Sequence, residues 1–254
     1  MSFHPPFASM PFMEAVAPLL RLFKGMTRKG PGSRASTLQA LSLCPLPPHP
    51  CVADFGCGSG ASALLLAEQL QCPVLALDAD GTALDDLWAN AQQMGLGSWI
   101  QPTTGDLGDP PVAPQSLDLI WSEGAITHIG WAKGLATWMP LLRPGGRMAI
   151  TDATWFEPHP PEEALNAWSS WYPEMATVDA NLQFARELGL QVLGHFRLPR
   201  QDWWDYFDHV EAQCRLHQDD ASLAPIIEAM HEEMALYRRC GDSYGYEFYV
   251  LKRP

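Results

Sequence analysis

Between Val52 and Thr151 short apolar runs alternate with longer stretches whose apolar residues recur every three or four positions. Runs of four to six apolar residues read as buried strands, and the three-to-four spacing reads as amphipathic helix. On this basis Val52–Phe55, Pro73–Leu77, Trp99–Gln101, Leu117–Trp121 and Arg147–Thr151 are expected strands, with helices over Ala61–Leu70 and Thr82–Met94. Two further helices, Phe12–Phe23 and Thr37–Leu43, precede the first strand. Strand and helix in alternation predict a parallel, doubly wound α/β sheet. After Asp152 the texture changes. Aromatic residues crowd Trp155–Tyr172 and Trp203–Phe207, Val192–Leu198 reads as a strand, Asp202–His217 and Ser222–Tyr237 as helices, and Tyr244–Leu251 as a closing strand. The last two strands are then separated by a helical insertion. The expected organisation is one domain over residues 1–254: N-terminal helices over 11–43, a core over about 35–152 and a lid with insertion over 153–243.

Composition narrows what such a domain can do. Hydrophobic residues make up 47% of the 254-residue chain, enough for a sizeable core, and no apolar run is long enough to cross a bilayer. The opening Met1–Val16 carries Pro5, Pro6 and Pro11 and no basic segment ahead of an apolar one, so it is not expected to be a signal peptide, and a cytoplasmic location is the default expectation. A net charge of −13 disfavours nucleic acid and anionic membranes as partners, because both are held mainly through Lys and Arg. The densest basic cluster, Arg21, Lys24, Arg28, Lys29 and Arg34, is small and interrupted by Gly and Pro. The six cysteines form no CxxC pair and are expected to be reduced and mostly buried, and neither histidines nor carboxylates show metal-ligand spacing. Oligomeric state is left open.

The chemistry concentrates at Asp54-Phe55-Gly56-Cys57-Gly58-Ser59-Gly60, where the first strand meets its helix. Glycines there allow a sharp turn and close approach of a ligand, and the following helix offers unpaired N–H groups to a carboxylate. Asp78, ending the second strand, can accept from both hydroxyls of a ribose. Gly56, Gly58 and Ala61 also satisfy the dinucleotide pattern GxGxxA, so an NAD-dependent oxidoreductase is the alternative on these residues alone. Asp54 argues the other way, since a dehydrogenase usually keeps that strand end apolar. Asp106, in Thr104-Gly105-Asp106-Leu107, is placed to accept from an adenine amino group, and Leu141-Leu142-Arg143-Pro144-Gly145-Gly146 leads into the fifth strand.

Taken together, DFGCGSG, LDAD, GDL, LDLIWSEGAI and LLRPGG resemble the class I S-adenosylmethionine (SAM) dependent methyltransferases over roughly Cys51–Asp152. Gly30-Pro31-Gly32-Ser33, Trp121–Ile126, Trp155-Phe156 and Tyr244-Gly245-Tyr246 extend the resemblance to a bacterial subgroup of largely uncharacterised small-molecule methyltransferases. The resemblance implies a Rossmann-like seven-stranded sheet with an antiparallel last strand, SAM as cofactor, S-adenosylhomocysteine (SAH) as product and a small molecule as acceptor. It implies Asp54, Gly56, Cys57, Gly58 and Gly60 near the methionine moiety, Asp78 with Ala79 at the ribose, and Asp106 with Leu107 beside adenine. Ser122 and Glu123 would contact the cofactor from the end of the fourth strand. Relatives often carry a large apolar residue after the ribose acid, whereas Ala79 and Asp80 stand here, so adenine stacking is left unassigned. The Gly30–Ser33 turn either closes over the cofactor or simply joins two helices.

Methyl transfer needs alignment more than it needs a base. Were a base used, Glu123 and His128 are the candidates, each with packing or cofactor contact as the blander role. No Asn-Pro-Pro-Tyr motif follows the fourth strand, which removes support for amino-directed nucleic-acid or protein-glutamine methylation. Trp155, Trp168, Tyr172 and Trp203 are candidate acceptor contacts, because rings offer area and attract cations, although most aromatic residues of this region are expected in the core. A binding protein that keeps the pocket without turnover is a third possibility.

Overall fold

The structure, a computed structural model, describes residues 12–254; Pro5, Pro6, Pro11 and the reading of the chain's opening lie outside the described residues. In chain order the elements are α1 (Phe12–Leu22), α2 (Arg34–Ser42), β1 (Val52–Phe55), α3 (Ala61–Leu70), β2 (Val74–Asp78), α4 (Gly81–Gln93), β3 (Ile100–Thr104) and β4 (Leu117–Glu123). There follow α5 (Trp131–Trp138), β5 (Leu142–Trp155), α6 (Glu162–Trp171), α7 (Val178–Glu187), β6 (Gln191–Arg197), α8 (Arg200–Leu216), α9 (Ala224–Cys240) and β7 (Tyr244–Lys252).

Seven strands form one sheet in the order β3-β2-β1-β4-β5-β7-β6. β1 to β5 pair in parallel, and β7 runs antiparallel to both β5 and β6. This is the expected Rossmann-like sheet with its reversed closing strand. Four fully buried residues in β1, covered on both faces, are what a central parallel strand requires. Helix starts are set locally: the Ser33, Asp80 and Thr177 side chains accept from the backbone N–H of Ser36, Thr82 and Ala180, satisfying donors that the helix cannot.

Two differences from the periodicity have tertiary causes. β5 runs from Leu142 to Trp155, well beyond Arg147–Thr151, because β7 pairs with it from Arg147↔Lys252 to Trp155↔Tyr244. α5, α6 and α7 are short helices that apolar spacing does not pick out, with α5 and α7 packed on one face of the sheet through Trp131, Leu135, Trp138, Leu182 and Ala185. The inserted α8 and α9 pack with α1 and α6 in a separate apolar cluster that holds Phe23, Trp155, Trp203, Phe207 and Tyr237. That cluster stands over the carboxyl end of β5. A 2.5 Å hydrogen bond from Ser36 to the buried Asp202 ties α2 to α8 across it.

Candidate active site

The strand order reverses between β1 and β4: the chain runs outward through β2 and β3, then returns to β4 beside β1. At such a switch point the carboxyl ends of the strands leave a crevice. Here it is walled by the ends of β1 (Phe55), β2 (Asp78) and β4 (Glu123). A depression lined by His49, Cys51, Gln71 and Pro111 lies at the opposite edge, where the same strands begin, and is separate from the crevice.

The glycine turn fills the crevice floor. Gly56, Gly58 and Gly60 have φ of +73°, +52° and +95°, a region that side chains resist, so all three positions favour glycine on backbone grounds. Their surroundings differ. A β-carbon on Gly56 would stand 2.2 Å from that of Ala125 and one on Gly60 2.1 Å from Leu87 Cδ1, whereas nothing lies within 4 Å of one on Gly58. Two of the glycines therefore serve close packing, and Gly58 faces open space at the start of α3.

Acidic groups converge on that space. Asp54 is 1% exposed, and its Oδ2 has no hydrogen-bond partner. Burial, reinforced by the neighbouring Glu123, pushes its pKa well above the carboxylate range. The Asp78 carboxylate accepts from Gly58 N–H at 2.8 Å and from Asp80 N–H at 2.9 Å, which locks it against the turn and leaves each oxygen a further lone pair. His128 is open to solvent at the crevice mouth, yet enough protein surrounds it that burial lowers its pKa, with Asp78 pulling the other way.

Glu123 departs from the role of a free base. Its carboxylate accepts from Trp121 Nε1 at 2.8 Å and Thr37 Oγ1 at 2.7 Å, and it forms an ion pair with Arg28. Burial raises its pKa, but Arg28, Trp121 and Thr37 more than offset this and the net shift is downward. Thoroughly paired, it anchors the strap that carries Arg28. Ser122, expected at the cofactor, is fully buried and donates to Phe55 O at 2.8 Å, so it joins β4 to β1 and does not face the crevice.

What sequence reasoning missed is the pairing that holds the Gly30–Ser33 turn as a strap. Arg28 reaches Glu123, and Lys29 lies 3.5 Å from Asp80, so the residues around Gly30–Ser33 cross the crevice from outside the sheet. A β-carbon on Gly32 would come within 2.8 Å of Arg28 Nη1 and 3.1 Å of Glu123 Oε2, placing the turn over the end of β4. Arg34 pairs with Glu68 and Arg21 with Asp220, so the basic cluster of the sequence is dispersed into separate ion pairs. Four cations close in sequence gave no hint that they diverge.

Of the remaining expectations, Leu107 sits 3.8 Å from the β-carbon position of Gly56, and its carbonyl accepts from Trp138 Nε1. Asp106 is exposed and accepts from Gly108 N–H at 2.7 Å; Ala79 is exposed and Cys57 buried. Among the proposed acceptor contacts, Trp203 is 2% exposed and stacks on Tyr237 at 4.5 Å, and Trp155 and Trp168 meet Tyr244 edge-on. Of these rings Trp168 keeps the most exposure. Five of the six cysteines are buried and Cys51 is exposed. Among the described residues no three His, Cys, Asp or Glu side chains are grouped to hold a metal ion, and no helix is long and apolar enough to span a membrane.

Tyr172 has a structural task. Its hydroxyl donates to Asp152 Oδ2 at 3.1 Å and accepts from Trp131 N–H, beneath β5. Burial pushes the Asp152 pKa up to about 8, opposed by Tyr172. Between the ordinary 3.8 and about 8 the unfolded chain releases this proton while the folded chain keeps it, so stability falls as pH rises through that window. Asp152→Asn is expected to stabilise by roughly 1–3 kcal/mol at pH 8 and by little at pH 4, measured by urea unfolding at the two values.

A family profile described as a methyltransferase domain matches residues 52–146, the span that builds the crevice. Over these residues the chain has a methyltransferase domain, and it is similar to SAM-dependent methyltransferases. It is 37% identical over 109 residues to a dimethylglycine N-methyltransferase of Parasynechococcus marenigrum, a match covering 42% of this chain and 39% of that protein. It thus spans about two fifths of the length of that relative. An O-methyltransferase, resE, of Aspergillus sclerotiorum is 25% identical over 209 residues, covering 80% of this chain and 75% of its own. A SAM-dependent methyltransferase of Geobacter sulfurreducens, solved in complex with SAH, superposes with a TM-score of 0.82 at 17% identity over 94% of this chain and 98% of its own, a likeness of fold.

Proposed function

We propose that this methyltransferase transfers the methyl group of SAM to a small-molecule acceptor, mainly by positioning and by exclusion of water. The observation that carries the reading is the unpartnered, buried Oδ2 of Asp54 beside the open face of Gly58 and the fixed carboxylate of Asp78. An unsatisfied buried acceptor costs about 1–3 kcal/mol unless a ligand donor reaches it. The ammonium and sulfonium of SAM suit an acid-lined crevice, as the hydroxyls of its ribose suit Asp78, so the residues present fit this cofactor.

When bound, SAM supplies a methyl carbon made electrophilic by its sulfonium. That carbon would pass to a lone pair of the acceptor as the carbon–sulfur bond gave its electrons back to sulfur, with SAH as product. The chain's part is alignment. Asp78 would hold the sugar end and the N–H groups opening α3 the carboxylate, while the strap held by Arg28 and Lys29 covers the crevice against water. His128 stands at the mouth, where a neutral imidazole can take a proton from an acceptor that needs to lose one.

The test is calorimetric titration with SAM, SAH and NAD. SAM and SAH are expected to bind and NAD not to, and Asp78→Ala is expected to weaken SAM about 10–100-fold, the value of one or two hydrogen bonds to a charged group. Binding of NAD without SAM would refute the reading; label released from methyl-labelled SAM into a metabolite extract would identify the acceptor.

A further inference from the structure

α9 turns a stripe of Ile226, Met230, Tyr237 and Cys240 into the aromatic cluster, all of them buried. Glu233 falls in the middle of that stripe, three residues after Met230 and four before Tyr237, where helical spacing demands an apolar side chain. Among the described residues it has no ion pair and no hydrogen bond. It keeps part of its surface open. Tyr206 of α8 and Tyr244 and Tyr246 of β7 all feel its charge, and the Tyr246 ring lies against Gly124, 3.2 Å from where a β-carbon would stand, directly after Glu123. The carboxyl and its rings thus lead from the inserted helices to the end of β4. Burial alone pushes the Glu233 pKa up to about 7.

We propose that Glu233 and the partly open ring of Tyr246, backed by the buried Tyr206 and Tyr244, form the acceptor subsite, and that the acceptor carries a positively charged nitrogen. The inference rests on the reading of the crevice as a SAM site and adds the substrate class. An uncompensated acid in an apolar stripe weakens folding; a cation seated on it supplies the missing counter-charge, while aromatic faces add cation–π attraction without competing for the carboxylate. A neutral or anionic acceptor would gain nothing from this arrangement.

The experiment uses SAH-loaded full-length protein, tetramethylammonium as probe and tert-butanol as a neutral probe of similar shape, read by tryptophan fluorescence and calorimetry. Tetramethylammonium is expected to bind and tert-butanol not to at the same concentration. Glu233→Gln and Glu233→Met are each expected to weaken the cation about tenfold or more while leaving SAH affinity unchanged. The Met variant, which restores the apolar stripe, is expected to raise Tm, a gain that a lost structural contact would not produce. Equal affinity for the two probes, or unchanged cation affinity in both variants, overturns the proposal. Failure of SAH itself to bind overturns the crevice reading first, and this inference with it.

Discussion

Gly56→Val is expected to lose about 2–5 kcal/mol of stability and all measurable SAM binding. The left-handed backbone at φ +73° costs a side chain roughly 1–2 kcal/mol, and crowding into a packed region a further 1–3. Relief by movement is blocked on both sides. Gly56 N–H and Cys57 N–H both donate to Leu77 O, at 2.8 and 3.0 Å, and the β-carbon of Ala125 would stand only 2.2 Å away. Against the typical 5–15 kcal/mol total the loss is large. Gly58→Ala separates packing from binding, since nothing lies within 4 Å of the added carbon; its stability should fall by only about 1–2 kcal/mol, the left-handed cost, while SAM affinity falls because the open face is filled. Urea midpoints and calorimetry on both variants check this. Equal midpoints for Gly56→Val and the wild type would contradict it.

Glu123→Ala is expected to cost a similar amount, about 3–5 kcal/mol, the penalty for removing one member of a largely buried ion pair. The Glu123 side chain is 6% exposed and that of Arg28 20%, so the guanidinium would be left with little water. Trp121 Nε1 and Thr37 Oγ1 lose their acceptor in the same step, and the strap loses its anchor. Glu123→Gln, which can still accept from Trp121 and Thr37, should lose less. The sign with pH comes from the lowered pKa: the contribution is complete above the ordinary 4.5 and disappears as pH falls through the lower folded value. The difference between wild type and Glu123→Ala should therefore shrink on acidification to about pH 3, and a gap that stays constant would assign the effect to packing. Were Glu123 instead a base in the reaction, Glu123→Gln would abolish turnover with stability unchanged.

The two variants touch different layers of the protein. Gly56 belongs to the glycine turn, whose spacing and position after an apolar run are visible in the residues alone, because backbone freedom and the approach of a ligand are local requirements. Asp54 and Asp78 were visible for the same reason, as acids ending two buried strands. The role of Glu123 depends on Arg28 and Thr37, nearly a hundred residues upstream. Nothing in local spacing reports such a pairing, so the sequence leaves Glu123 between a base and a packing or cofactor contact, whereas the fold makes it the anchor of a strap.

A similar division runs through the aromatic half. Trp203 and Tyr172 stand out in the sequence as rings near a pocket, but stacking on Tyr237 and the hydrogen bond to Asp152 commit them to the framework. Glu233 attracts no notice as one acid among many, although the apolar stripe around it marks the exception once α9 is seen to face the rings.

Apolar periodicity and glycine spacing suffice for the parallel strands, for α3 and α4 between them, for the switch-point crevice and for the acids on its floor, since each is set by neighbours in the chain. The span of β5, the crossing strap, the paired state of Glu123 and the apolar setting of Glu233 belong to the folded molecule. They depend on which distant surfaces exclude water together, and burial, which sets both pairing and proton affinity, exists only after those surfaces meet.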